Sequence, residues 1–318
     1  MPLLPPSHFS FSSASTGTQQ LPSSGSHVLV TDTLNASADF VIYHLVIEAL
    51  RSGRPPSTAT TRAVAIVDFS GGRKSAAHWE AIGKKLGAPI PLKRSDNFSL
   101  ITPTSHTFST SSTAAQASPS LFSDDDEPSL KAVYQSILKA LDGKEGSLIV
   151  LDELSELLVL GFPSQEVTRF VRAVISISRK VVLSTTGPAN DAYIFLIPEQ
   201  HNAIVVTHLH TDSLGSNSAV MSFQPNAREQ TPNSDLDLLL RLLRLGGGVW
   251  WRIEGLRTGR SGVVTGEISS HPLLPLPIDV KTSATYSVPQ IPRAHPLQYR
   301  LDDTGMKTFA KGTGEGYL

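Results

Sequence analysis

Ser147-Leu-Ile-Val-Leu-Asp-Glu-Leu-Ser-Glu-Leu-Leu-Val-Leu-Gly161 is the stretch whose reading decides the fold. Leu148 to Leu151 form an unbroken apolar run that stops at Asp152-Glu153. A run without alternation suits a strand buried on both faces of a parallel sheet, so a central strand is expected here. Its acidic end is where an open α/β sheet meets a ligand, because the crevice lies beyond the carboxyl ends of the strands. In a nucleotide hydrolase built on such a sheet, an aspartate at this point would hold the magnesium bound to the phosphates. The function then turns on whether the partners of Asp152 are present.

Upstream, Val28 to Thr31 reads as a short apolar strand, and Ala38 to Leu50 as a helix with a wide apolar face. Ala63 to Asp68 is a second buried strand closing on an aspartate, followed by a helix over Ser75 to Leu86 that carries Trp79, with Gly87 placed to end it. Strand, helix, strand, helix predicts a parallel sheet, since parallel neighbours need a crossover. Phe98 to Ile101 adds a short strand, and Leu130 to Leu141 has helical spacing. The acidic run Asp124-Asp-Asp-Glu127 before Pro128 reads as a solvated cluster at that helix's start rather than a metal site.

Downstream, Ser164 can cap a helix burying Val167, Phe170, Val171 and Val174. Val181 to Leu183 and Ala203 to Thr207 compete as the next strand; the second is preferred, which leaves residues 185–200 as an excursion. Leu236 to Leu243 form a leucine-dense helix. The segments 249–253, 262–268, 297–301 and 306–310 are β-rich and joined by turns, which predicts antiparallel hairpins at one edge of the sheet. Ser/Thr/Pro-rich composition predicts a disordered tail at 1–26 and disordered inserts near 102–127 and 213–232. One domain is therefore expected over 27–312, with a short tail at 313–318.

The 318 residues include 27 basic and 28 acidic side chains, so total charge announces no nucleic-acid or membrane-surface binder. There are no cysteines, which excludes disulfides, thiolate catalysis and thiolate-bound zinc. No apolar run is long enough to cross a bilayer, and Met1-Pro-Leu-Leu-Pro-Pro6 lacks the charge and continuity of a signal peptide. A soluble intracellular protein with no membrane partner is the expectation.

The first βα turn is the place for a phosphate cradle, and here it reads Thr31-Asp-Thr-Leu-Asn-Ala-Ser-Ala38, without glycine or lysine. A P-loop needs glycines so that backbone N–H groups approach the phosphates, a lysine on the terminal phosphates and a hydroxyl on magnesium. Thr31, Asp32, Thr33, Asn35 and Asp152 thus outline a degenerate nucleotide pocket with no functional P-loop. Gly71-Gly-Arg-Lys-Ser75 has basic groups at a helix start but not the spacing of a P-loop, and reads as a plain βα connection more readily than as a weak anion site.

Thr207-His-Leu-His-Thr-Asp212 resembles the Thr-His-x-His-x-Asp-His motif of metallo-β-lactamase-fold hydrolases, but Ser213 stands at the last ligand position. A strand end with two polar rings is the preferred reading. A metal-dependent hydrolase using His208, His210 and Asp212, or a degenerate ATPase, is the alternative in which the chain is an enzyme. Arg257 and Arg260 flank a turn and are the candidate phosphate contacts for nucleic acid. Trp250 and Trp251 are candidates for an apolar interface.

Four stretches taken in order carry a family resemblance: Ser75 to Gly87, Leu148 to Gly161, Arg252 to Gly262 and Tyr299 to Gly312. Together they resemble Elongator complex protein 6, a family of RecA-like subunits in the accessory ring of Elongator, over roughly His27 to Gly312. The resemblance implies an α/β, RecA-like mostly parallel sheet flanked by helices that has lost its P-loop. It also implies a heterohexameric ring with two sister RecA-like subunits, proteins 4 and 5, serving the catalytic lobe. In that picture the ring binds tRNA and supports wobble-uridine (U34) modification in the cytoplasm, and also the nucleus, while this chain performs no chemistry and needs no cofactor or metal.

Overall fold

In the computed structural model the described residues are 21–22, 25–52, 62–87, 90, 97–104, 119–122, 129–142, 144, 146–178, 203–212, 234–256, 264–273, 296–302 and 305–310. The tail at 313–318, the insert near 213–232, the strand candidate at 181–183 and the excursion at 185–200 lie outside them. So do most of the tail at 1–26 and most of the insert near 102–127.

Strands with unbroken apolar runs are covered on both faces, and their side chains are buried along nearly their whole length. Four such strands lie side by side: β2 (Val64–Asp68), β4 (Leu148–Asp152), β5 (Ile204–His210) and β1 (His27–Asp32). All four pair in parallel, and β3 (Phe98–Ile101) and β6 (Gly248–Gly255) continue the parallel order on either side. Beyond β6 the direction alternates through β7 (Gly266–Pro272), β8 (Leu297–Asp302) and β9 (Gly305–Ala310). The full order is β3-β2-β4-β5-β1-β6-β7-β8-β9. This is the mostly parallel sheet with C-terminal hairpins at one edge that the sequence predicts. β7 begins four residues later than the expected 262–268 and runs on to Pro272.

Alternate residues on each strand feed two cores. Val28, Val30, Val64, Ile66, Leu148, Val150, Ile204 and Val206 face α1 (Asp39–Ser52) and Trp79 of α2 (Ala76–Lys85). Leu29, Ala65, Val67, Ile149, Leu151 and Val205 face α3 (Lys131–Leu141), α5 (Ser164–Ser178) and α6 (Ser234–Leu243). A short helix that the sequence reading omits, α4 (Ser155–Val159), follows β4 directly and buries Leu157. Inside the expected insert near 102–127, Thr104 bridges to Ser120 and Leu121 is buried in the second of these cores, so the chain returns to the domain there.

Strand order reverses about β1: its crossover through α1 leads toward β2 on one side, while α6 leads to β6 on the other. A reversal of this kind leaves a crevice at the carboxyl ends of the strands, and the polar residues of the central strands collect there.

Candidate functional site

Asp32 on β1, Asp152 on β4 and His208 and His210 on β5 have the same parity as Val30, Val150 and Val206, so they leave the sheet on the α1 face. Register aligns Asp32 with His210. β5 is longer than the expected Ala203 to Thr207, and it is this extension that carries both histidines into the site.

The three strand ends form one hydrogen-bonded cluster. His208 Nδ1 bonds Asp152 Oδ1 at 2.7 Å, and its Nε2 stands 3.2 Å from Asp32 Oδ1 but out of hydrogen-bond alignment. His210 Nδ1 bonds Asp32 Oδ1 at 2.5 Å, and its Nε2 ion-pairs with Glu153. The other oxygen of Asp32 accepts the N–H of Ala38 at 2.7 Å, at the start of α1. That N-terminus is the anion site a phosphate would take in a nucleotide-binding sheet, and here the chain's own carboxylate fills it.

Lys74 supplies the cation. Gly71 and Gly72 adopt φ of +75° and +89°, a left-handed turn that only glycine makes without strain, and it swings the chain back over the crevice. Asp68 pins the loop by accepting the N–H groups of Ser70 and Lys74 at 2.9 and 3.3 Å. The Lys74 side chain is 9% exposed, and its ammonium lies 2.7 Å from Asp152 Oδ2, 2.6 Å from Asp39 Oδ1 and 3.6 Å from Glu153 Oε1. Its neighbour Arg73 pairs with Glu156 at 2.5 Å on the surface. Both basic side chains of this turn are therefore taken by carboxylates, in line with the plain-connection reading of Gly71 to Ser75.

Glu153 has φ +63°, the single non-glycine residue in the left-handed region among the described residues. Such backbone persists only where the surroundings hold it. Here Phe69 N–H donates to Asp152 O at 3.2 Å and Leu154 N–H to His208 O at 3.0 Å, which fixes the turn from both sides.

Burial alone would raise the Asp32 and Asp152 carboxyls, but the histidines outweigh it for both and hold them well below the ordinary range, with Lys74 adding to the effect at Asp152. The same contacts act in reverse on the rings. Burial works to depress His208, yet Asp152 and Asp32 raise it to about 9, and Asp32 and Glu153 raise His210 to about 10. Burial opposes the charge on Lys74 as well, but Asp152 and Asp39 push its ammonium above its ordinary value.

The other expected residues are placed as follows. Thr31 is buried and its hydroxyl accepts the Trp250 indole N–H at 2.8 Å; Thr33 bridges back to Ala36, and Asn35 is exposed. Trp250 is half-buried against His271 with Arg252 over its ring, whereas Trp251 is 2% exposed in the α1-side core and offers no surface for an interface. Asp212 does not join the histidines: its carboxylate accepts Leu34 N–H at 2.7 Å, and Asp32 takes the place that the motif reading gave it. Arg257 and Arg260 lie outside the described residues. Lys74 is the site residue that sequence reasoning did not assign. The signal for it was the sequence Gly71-Gly-Arg-Lys74 itself, a basic turn facing an acidic strand end.

Six parallel strands between two helical layers, extended by hairpins at one edge, make this a RecA-like α/β protein. A crystal structure of the RadB recombinase is similar over 89% of this chain and 90% of that one, at 14% sequence identity and a TM-score of 0.46. A search of the curated proteins gave no match. The family model for Elongation complex protein 6 matches residues 11–271, most of the sequence, and the chain belongs to that family. It is accordingly an Elongator subunit.

Proposed function

We propose that this chain is a non-catalytic RecA-like subunit of the Elongator accessory ring, a heterohexamer formed with the two sister subunits, proteins 4 and 5, that binds tRNA and supports U34 modification. Family membership points to the complex. The observation that carries the non-catalytic reading is the self-occupied crevice. Asp32 fills the anion position at the start of α1, and Lys74 neutralises the aspartate that would hold magnesium. A triphosphate entering there would meet Asp32, Asp152 and Glu153, and would have to break a buried ion-pair cluster to bind. Contact with tRNA then falls to side chains outside the crevice, with Arg257 and Arg260 as the candidates, and Trp250 as the candidate for subunit contact. Compartment follows the complex, in cytoplasm and nucleus.

The test is co-expression of the full chain with the two sister subunits, followed by native mass measurement, and titration of the full chain alone with magnesium-ATP. A six-membered assembly containing this chain, and no ATP binding by the chain alone, are expected. A monomer that ignores both partners, or ATP hydrolysis by the chain alone that Asp152→Ala abolishes, would overturn the reading.

A further inference from the structure

We propose that Asp32, His208 and His210 form a binding site for one divalent transition-metal ion of the zinc class, clamped between β1 and β5. The inference stands independently of ring assembly. Donors on a tetrahedral zinc ion with ordinary bond lengths lie about 3.3 Å apart. His208 Nε2 is already 3.2 Å from Asp32 Oδ1, and His210 Nδ1, at 2.5 Å from the same oxygen, has to open by under about 1 Å. The three donor atoms lie within 4.8 Å of one another.

Two further observations point to a cation. First, His208 Nε2 is a fully buried nitrogen with no hydrogen-bond partner, and it is aimed at Asp32. Second, each ring's other nitrogen rests on a carboxylate of its own, His208 Nδ1 on Asp152 and His210 Nε2 on Glu153. Metal-bound histidines are oriented in this way, with the far N–H on a carboxylate that fixes the tautomer. Asp32 is divided likewise: Oδ2 is held by Ala38 N–H, which leaves Oδ1 to the site.

Charge admits the same occupant. The carboxylates of Asp32, Asp39, Asp152 and Glu153 face the ammonium of Lys74 and the rings of His208 and His210, and exchanging two ring protons for one divalent ion leaves the net charge of the cluster unchanged. Two imidazoles and one carboxylate select zinc, cobalt or nickel over magnesium and calcium, which prefer all-oxygen sites. Three protein ligands leave a fourth position, which faces solvent on the side of His210, 28% exposed. A metal entering there takes the place of the ring protons on His208 Nε2 and His210 Nδ1. Glu153, through His210, is a positioning residue.

The full-length untagged chain, stripped of metal, is titrated with Co(II) and then Zn(II), reading visible absorption and bound metal by elemental analysis. One ion per chain is expected, with zinc displacing cobalt. His210→Gln should weaken zinc binding about 100-fold or more, and Glu153→Gln about 10- to 100-fold. Asp212→Asn should bind as the parent does, since Asp212 is no ligand. No stoichiometric metal on the parent chain, parent-like affinity in folded His210→Gln or Glu153→Gln, or lost binding in folded Asp212→Asn would each overturn the site.

Discussion

Lys74 Nζ lies 2.7 Å from Asp152 Oδ2, where a magnesium ion would sit in a nucleotide-hydrolysing sheet of this topology. The ammonium is nearly enclosed, and Asp39 and Glu153 share it. Removing one member of a buried ion pair strands the other charges and costs about 3–5 kcal/mol. Lys74→Met should therefore destabilise the chain by about that amount in urea unfolding. Arg73→Ala, which breaks an exposed pair one residue away, should cost about 1 kcal/mol or less. Equal effects from the two substitutions would contradict the buried cluster.

How far this site could be read without coordinates depends on which pattern carried it. The unbroken apolar runs Val28 to Val30, Ala63 to Val67 and Leu148 to Leu151 mark β1, β2 and β4 to within two residues, because strands covered on both faces need no alternation. β5 was read three residues short, since Thr207-His208 looks like the polar end of a strand. Strict alternation from Val206 through His208 to His210 would have put both rings on the face of Asp32 and Asp152. Lys74 has a signal in the basic turn Gly71 to Lys74 but no direction. Its direction depends on the left-handed turn at Gly71-Gly72, which composition allows but does not dictate. Trp250 and Trp251 read as one apolar pair, yet on a strand they face opposite sides, one in the core and the other beside the Thr31 hydroxyl.

Gly248 opens β6 directly beside His27 of β1. A Cβ built at Gly248 would stand 1.6 Å from the His27 carbonyl oxygen and 2.5 Å from its carbon, both backbone atoms that cannot swing aside. Gly248→Ala should thus part the β1–β6 pairing and cost at least about 3 kcal/mol, read as a lower midpoint in thermal or urea unfolding. A midpoint within a degree of the parent would show that β6 does not pack in this register.

For tRNA, Arg257→Glu with Arg260→Glu should weaken binding by the assembled ring without dissolving it. If both arginines contact phosphates, the slope of log affinity against log salt should fall in magnitude by about 1 to 2. Gel-shift or anisotropy titrations over a salt series measure this. An unchanged slope would remove the two arginines from the nucleic-acid surface.

His44 sets an acid limit on the fold. It lies on α1 and is buried, and that burial, with the charge of Arg51, lowers its imidazole to about 4 against 6.5 in an open chain. Between those values the unfolded chain takes up a proton that the folded chain refuses. His44's neutral burial is therefore compatible with full stability above about pH 6.5, and stability falls as pH drops toward 4. The loss over that window is on the order of 3 kcal/mol. The crevice histidines act in the opposite direction: with folded values near 9 and 10 they are already charged in the folded chain, and their contribution grows until the unfolded rings are charged too, about one pH unit below 6.5, so the His44 loss is read against a variant that keeps them. Asp32 and Asp152, held low, lose their contribution only once the pH enters the carboxylate range near 4. Urea unfolding at pH 7 and pH 5 should show the parent losing stability relative to His44→Leu, which keeps the crevice histidines but has no proton to take up at position 44. Parallel losses in the two proteins would place the acid-sensitive group elsewhere.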